Sequence, residues 1–265
     1  MKKIIFIIAA LMNLSVILSV SLFAKTQVIA HRGYWNQAGS ARNSISSLKN
    51  AQDLGVYGSE LDVHITTDNR VIVCHDDSVQ HHDINTSTYA ELKDLKLENG
   101  EVVPTLDAYL EQAQKNDKTK LIIEIKYKKD AELEKKTVRT VIDLVQKYKM
   151  EQHIEYISFS MNVCKELVKL THNIPIAYLA YKDFLFTPKE LKETGVSGLD
   201  YHYALLLQKP EWIAEAKELG LTTNAWTVND PASIQKLIDL NIDFVTTDEP
   251  LKATELLKAT ELLTK

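Results

Sequence analysis

Past its first two dozen residues the chain alternates short β-branched runs with amphipathic segments, and it keeps the alternation through eight rounds. Strands separated by a helix-length crossover run parallel, because a hairpin needs only a short turn. The strands are expected at Gln27–His31, Tyr57–Ile65, Leu121–Lys126, Ile154–Phe159, Ile174–Leu179, Val196–Asp200, Leu221–Val228 and Asp243–Thr247. Helices are expected at Ser44–Leu54, after Pro104-Thr105-Leu106, and at Ala131–Tyr148, Met161–Leu170, Pro188–Thr194, Pro210–Leu219, Pro231–Leu240 and from Pro250 onward. Within Ala131–Tyr148, Leu133, Val138, Val141, Ile142 and Val145 share one face, as a 3.6-residue period requires. Eight strand–helix units predict an α/β fold, a single-domain (β/α)8 TIM barrel. An open doubly wound sheet or two smaller α/β domains are the competing architectures, but no Gly/Pro/Ser-rich linker divides the chain. An extended piece at Val71–His75 and a polar stretch before Pro104 form a short lid insertion after the second strand. The tandem Lys-Ala-Thr-Glu-Leu-Leu at 252–257 and 258–263 is too short for a solenoid and reads as a helix running past the barrel.

Met1-Lys2-Lys3, the apolar stretch Ile4–Val20 and Ser21-Leu22-Phe23-Ala24 have the layout of a secretory signal peptide. Cleavage after Ala24 leaves residues 25–265 as the barrel domain, close to the usual size of about 250 residues. The expected location is therefore outside the cytoplasm, periplasmic or secreted, with no stable membrane insertion after cleavage. A formal charge of −5 and scattered lysines argue against nucleic acid as a partner. Cys74 and Cys164 are too few for a disulfide framework and are expected to be small buried apolar residues.

Barrel enzymes place their chemistry at the C-terminal ends of strands. The first strand ends there in His31-Arg32-Gly33. On the second strand, Glu60, Asp62 and His64 alternate with Leu61, Val63 and Ile65, so the polar set faces the barrel interior and the apolar set faces the helices. Glu124 and Lys126 alternate in the same way on the third strand. Three carboxylates in a barrel interior need compensation, because an unpaired buried charge costs several kcal/mol. Arg32 and Lys126 can supply part of it. Hard oxygen donors without a thiolate suit one divalent cation, Ca2+ or Mg2+. His75-Asp76 closes the extended piece after the second strand.

The ordered set His31-Arg32-Gly33, Asn43, Glu60-x-Asp62-Val63, Thr67-Asp68, His75-Asp76, Glu124-x-Lys126, Asn224-x-Trp226-Thr227-Val228-Asn229 and Thr247-Asp248-x-Pro250 resembles the glycerophosphodiester phosphodiesterase family, within the phospholipase-C-like phosphodiesterase barrels. The resemblance implies Glu60, Asp62 and Glu124 as metal ligands and His31 and His75 as the catalytic acid and base. It implies substrate contacts from Arg32, Lys126, Asn43 and Trp226, the last as a pocket wall or a core residue. The implied reaction is metal-dependent hydrolysis of a small-molecule glycerophosphodiester to glycerol 3-phosphate and an alcohol. One departure is Ala41-Arg42-Asn43-Ser44, where the family commonly has Pro-Glu-Asn-Thr. Arg42 reverses a charge beside the site, either to meet an anionic substrate group or to form a surface ion pair. Two other functions compete: a phospholipase-type lipid phosphodiesterase, which should carry an aromatic or apolar rim not obvious in the chain, and a non-catalytic phosphopolyol-binding barrel, which should lack a histidine or carboxylate. His81-His82 reads as solvated loop.

Overall fold

The computed structural model describes residues 25–263, so the leader expected at residues 1–24 lies outside it. In chain order the strands are β1 (Gln27–Ala30), β2 (Gly58–Ile65), β3 (Val71–Val73), β4 (Ser78–Val79), β5 (His82–Asp83), β6 (Lys120–Ile125), β7 (Ile154–Ser158), β8 (Ile176–Ala180), β9 (Gly198–His202), β10 (Thr222–Trp226) and β11 (Phe244–Thr247). Among the described residues, eight of them, β1, β2 and β6 to β11, pair in parallel as a closed barrel. Closure is made by β1, whose Ala30 is in register with Ser59 of β2 on one side and Thr247 of β11 on the other.

The helices are α1 (Ile45–Leu54), α2 (Tyr89–Leu92), α3 (Leu106–Ala113), α4 (Ala131–Lys147), α5 (Met161–Leu170), α6 (Pro188–Thr194), α7 (Tyr203–Gln208), α8 (Glu211–Glu218), α9 (Pro231–Asp239) and α10 (Pro250–Leu263). Their starts follow local chemistry. Ser44, Thr105, Asp130, Ser160 and Asp230 accept a backbone N–H of the first turn, and Thr187 forms a capping box with Glu190 ahead of Pro188. Helix α7 was not expected; it is a six-residue piece between β9 and α8 whose first turn is capped by the His202 ring. Strands β8 and β9 each begin two residues later than the apolar runs predict, because the first residues of those runs complete the preceding loops.

Alternation sorts the strand residues into two cores. Leu61, Val63, Leu121, Ile123 and Ile125 point outward and pack with the inner faces of the helices, including Val138, Val141, Ile142 and Val145 of α4. Ile29, Ile122, Ile157 and Leu179 point inward and plug the barrel. Gly58 belongs to that inner layer, where a Cβ would come within 2.8 Å of Ile122 Cγ1. The plug leaves the C-terminal mouth free for polar groups.

The segment after β2 is more ordered than a polar lid. Strand β3 pairs antiparallel with β2, β4 and β5 form a small hairpin, and Ile72, Val79, Ile84, Leu92 and Val103 make a separate apolar cluster. His81 and His82 stand exposed on the hairpin. Both cysteines are free, with Cys164 buried and Cys74 only half-buried beside the mouth. Among the described residues no helix is long and apolar enough to cross a membrane.

Candidate active site and metal centre

One carboxylate oxygen from each of Glu60, Asp62 and Glu124 lies within 4.8 Å of the others, and all three residues are buried. The expected inward face of β2 and β6 is therefore what brings them together, since Asp62 and Glu124 stand in register across the two strands. Lys126 Nζ lies 2.8 Å from Glu124 Oε1 and 3.2 Å from Asp62 Oδ1, and Arg32 Nε lies 3.6 Å from Asp62 Oδ2. Three carboxylates thus face two cations. Burial, then repulsion from Asp62 and Glu124, raises the Glu60 carboxyl well above its ordinary range. Burial also pushes Glu124 up to about 7, although Lys126 opposes it. For Asp62 burial is outweighed by Lys126, His75, Arg32 and the Asn43 amide, which hold it below the ordinary range. An all-oxygen cluster with residual negative charge fits one divalent cation.

The loop after β1 is shaped to serve this cluster. Arg32 adopts a left-handed φ of 55°, followed by Gly33 at 79°, and the turn directs the Arg32 N–H onto Glu60 Oε2 at 2.8 Å. A Cβ at Gly33 would overlap the Ser47 side chain, so only glycine fits. Asn43, at φ 57°, donates from Nδ2 to Asp62 Oδ2 at 2.8 Å and accepts the Asp62 N–H at 3.3 Å. Asn43, expected among the substrate contacts, has both amide atoms hydrogen-bonded to Asp62 and so orients that carboxylate.

His31 and His75 line one cavity of about 210 Å³ together with Arg32, Glu60, Glu124 and Lys126. His31 Nδ1 donates to Asp248 Oδ1 at 2.9 Å, which leaves Nε2 for the cavity. Asp248 also accepts from Trp35 Nε1 at 3.0 Å and Asn229 Nδ2 at 2.8 Å. His75 Nδ1 donates to Asp76 Oδ1 at 2.7 Å. Burial and the Lys126 charge lower the His75 pKa, against Asp62 and Asp76. The third polar residue of the β2 face, His64, does not join the carboxylates. Its Nε2 donates to the His75 carbonyl at 3.3 Å, and its Nδ1 accepts from Lys128 Nζ at 2.6 Å. Lys128, 7% exposed, also donates to Asp77 at 2.8 Å.

Trp226 is on the pocket wall. Its Nε1 donates to the Asp200 carbonyl at 2.9 Å, and its ring meets Phe159 edge-on at 5.5 Å. Asp200 lines the same cavity, and burial pushes its carboxyl up to about 8, which favours its neutral form. Arg42 makes no surface ion pair; its guanidinium lies 3.7 Å above the Trp35 ring. A further correction concerns the rim. Tyr127, Phe159, Tyr181 and Phe184 gather at the mouth, although they are scattered through the sequence. Sequence reasoning passed over Asp248, Trp35 and Lys128 as well. Asp248 stood in a quoted motif, but only barrel closure places it beside His31.

Hard oxygen donors with paired imidazoles at the C-terminal mouth put this chain among the (β/α)8-barrel hydrolases. More narrowly, the model of the "Glycerophosphoryl diester phosphodiesterase family" matches residues 31–252, and the chain belongs to that family. A glycerophosphodiester phosphodiesterase from Parabacteroides distasonis is 44% identical, with a TM-score of 0.87 over 90% of this chain and 99% of that one. An Oleispira antarctica phosphodiesterase, solved in complex with the product sn-glycerol-3-phosphate, is 25% identical, with a TM-score of 0.77 over 88% of this chain and 97% of that one. Among curated sequences, the glycerophosphodiester phosphodiesterase of Caldanaerobacter subterraneus is 27% identical over 243 residues, covering 85% of this chain and 95% of its own.

Proposed function

We propose that the protein hydrolyses glycerophosphodiesters to glycerol 3-phosphate and an alcohol, with His31 and His75 as acid and base and Glu60, Asp62 and Glu124 holding one calcium or magnesium ion. The observation that carries this reading is the cluster of three carboxylates, two of which, Glu60 and Glu124, line one cavity with both imidazoles. The product complex of the Oleispira relative supports the choice of substrate.

A bound divalent cation would supply positive charge to a non-bridging phosphoryl oxygen. Arg32 and Lys126 stabilise the same developing charge and orient the phosphate. One imidazole, neutral, takes the proton of the attacking hydroxyl, and the other, protonated, returns one to the leaving oxygen. In the order the family resemblance implies, the neighbouring glycerol hydroxyl attacks first and water then opens a cyclic phosphate. Asp248 and Asp76 each hold one ring by Nδ1, so the working atom on both histidines is Nε2. The lysine and apolar leader at residues 1–24 supports export of the domain, which sequencing the mature N-terminus checks.

The deciding experiment is turnover of glycerophosphocholine by the wild type, His31→Ala and His75→Ala, with and without chelator. Each variant should lose roughly 10²–10⁴-fold in kcat, the range of general acid–base catalysis. An activated nitrophenyl ester should rescue the variant lacking the acid and leave the other impaired. Near wild-type turnover in both variants, or full activity in persistent chelator, would overturn the reading.

A further inference from the structure

The turn after β1 carries two aromatic residues in succession and uses them differently. Tyr34 is buried in the outer apolar core, and its backbone is anchored to α1: its N–H donates to the Ser47 carbonyl at 2.9 Å, and its carbonyl accepts from Asn50 Nδ2 at 3.2 Å. From that anchor the half-buried Trp35 reaches the end of β11, where its Nε1 donates to Asp248 Oδ1 at 3.0 Å. The next residue, Asn36, donates from Nδ2 to the Asp248 carbonyl at 3.1 Å.

Asp248 Oδ1 is also the atom that accepts from His31 Nδ1, so Trp35 and His31 share one oxygen. Asn229 Nδ2 holds the other oxygen at 2.8 Å, and Asn229 Oδ1 accepts the Asp248 N–H at 2.9 Å. A carboxylate turns easily about its last bond unless both oxygens are held. With Asn229 on Oδ2 and Trp35 on Oδ1, the plane is set and a lone pair of Oδ1 is left for the imidazole.

The indole is held in turn. Asn43 N–H donates to the Arg32 carbonyl at 3.0 Å, which closes the loop and brings Arg42 back toward Trp35. The exposed Arg42 places its guanidinium 3.7 Å above the Trp35 ring, within the range of a cation–π contact. Trp35 does not line the cavity that His31 and His75 share, so its route to the chemistry runs through Asp248.

We propose that Trp35, clamped by Arg42, is a positioning residue for His31, an inference that rests on the phosphodiesterase reading above. The indole N–H sets the Asp248 carboxylate plane, and that carboxylate keeps the proton on His31 Nδ1 and leaves Nε2 to work.

The test measures kcat and KM of the full-length protein on glycerophosphocholine, in the wild type and in the His31→Ala background. Trp35→Phe removes the N–H and keeps a ring beneath Arg42; it should lower kcat by about 10-fold, the loss of one hydrogen bond to a charged group, with KM little changed. Arg42→Met keeps the length and removes the charge, and it should lower kcat by about 3-fold, again with KM little changed. In the His31→Ala background neither substitution should lower kcat further, because the group they position is gone. A residue that only supports the loop would cost the same in both backgrounds, and that result would overturn the proposal. So would a raised KM at unchanged kcat in Arg42→Met, which would make Arg42 a substrate contact. Wild-type turnover that Trp35→Phe leaves unchanged sinks this proposal alone. No hydrolysis of any glycerophosphodiester by the wild type removes the phosphodiesterase reading and this proposal with it.

Discussion

His31 Nδ1 donates to Asp248 Oδ1 across 2.9 Å, joining the end of β1 to the end of β11 between residues 217 positions apart. The bond fixes the imidazole tautomer and ring angle, as a carboxylate behind a working histidine does in other hydrolases. Asp248→Asn should therefore lower kcat on a glycerophosphodiester by roughly 10²-fold or more while KM changes little. Steady-state kinetics check it, and a kcat within a factor of two of wild type would show that the pair is not needed to orient His31.

Asp248 also marks an acid-side stability effect. Burial would raise its carboxyl, but His31, Asn229 and Trp35 hold it well below the ordinary carboxylate range. A depressed folded pKa stabilises the fold above the unfolded pKa of about 4 and loses that contribution as pH falls further. Melting curves of Asp248→Asn against wild type should converge as pH drops below about 4.

The carboxylate cluster has the opposite sign. Burial raises Glu124 from 4.5 to about 7, and burial with charge repulsion also raises Glu60 well above its ordinary range. A carboxyl with a raised folded pKa binds its proton more tightly in the folded state, so stability falls as pH rises through that window. In chelator, the wild type should lose more melting temperature between about pH 5 and about pH 8 than Glu124→Gln does. Calcium or magnesium should restore it, and more at the higher pH, because binding displaces protons. Equal pH slopes for the two proteins would contradict the cluster electrostatics.

Asn43 holds Asp62 from both amide atoms. Asn43→Gly keeps the left-handed backbone and removes only the amide, so it should weaken divalent-cation binding by about 10- to 100-fold, the usual effect of losing a group that orients a ligand. Titration calorimetry measures this directly. Unchanged affinity would return Asn43 to the substrate contacts expected from its place in the motif.

Burial and the neighbouring Lys128 lower the His64 pKa from 6.5 to about 4. The unfolded chain takes up a proton on this residue below 6.5 while the folded chain does not until about 4, so stability falls as pH drops across that window. His64→Gln should flatten the decline. Lys128→Ala should cost about 1–3 kcal/mol in urea unfolding, since it strips a donor from buried His64. If His64→Gln leaves the slope unchanged, the ring is not held neutral.

Sequence alone determined the barrel and the carboxylate core of its site. Those features rest on short-range periodicity: the alternation along β2 sends Glu60 and Asp62 inward and Leu61 and Val63 outward whatever the rest of the chain does. Contacts that depend on how the sheet closes were decided only by tertiary structure. Asp248 meets His31 because β1 lies beside β11, Lys128 meets His64 because β6 lies beside β2, and Tyr127, Phe159 and Tyr181 line one cavity because successive strands end at one mouth. A period of two says which face a residue takes; it carries no term for which residue of a distant strand stands opposite, and that is set by the registers of all eight strands at once.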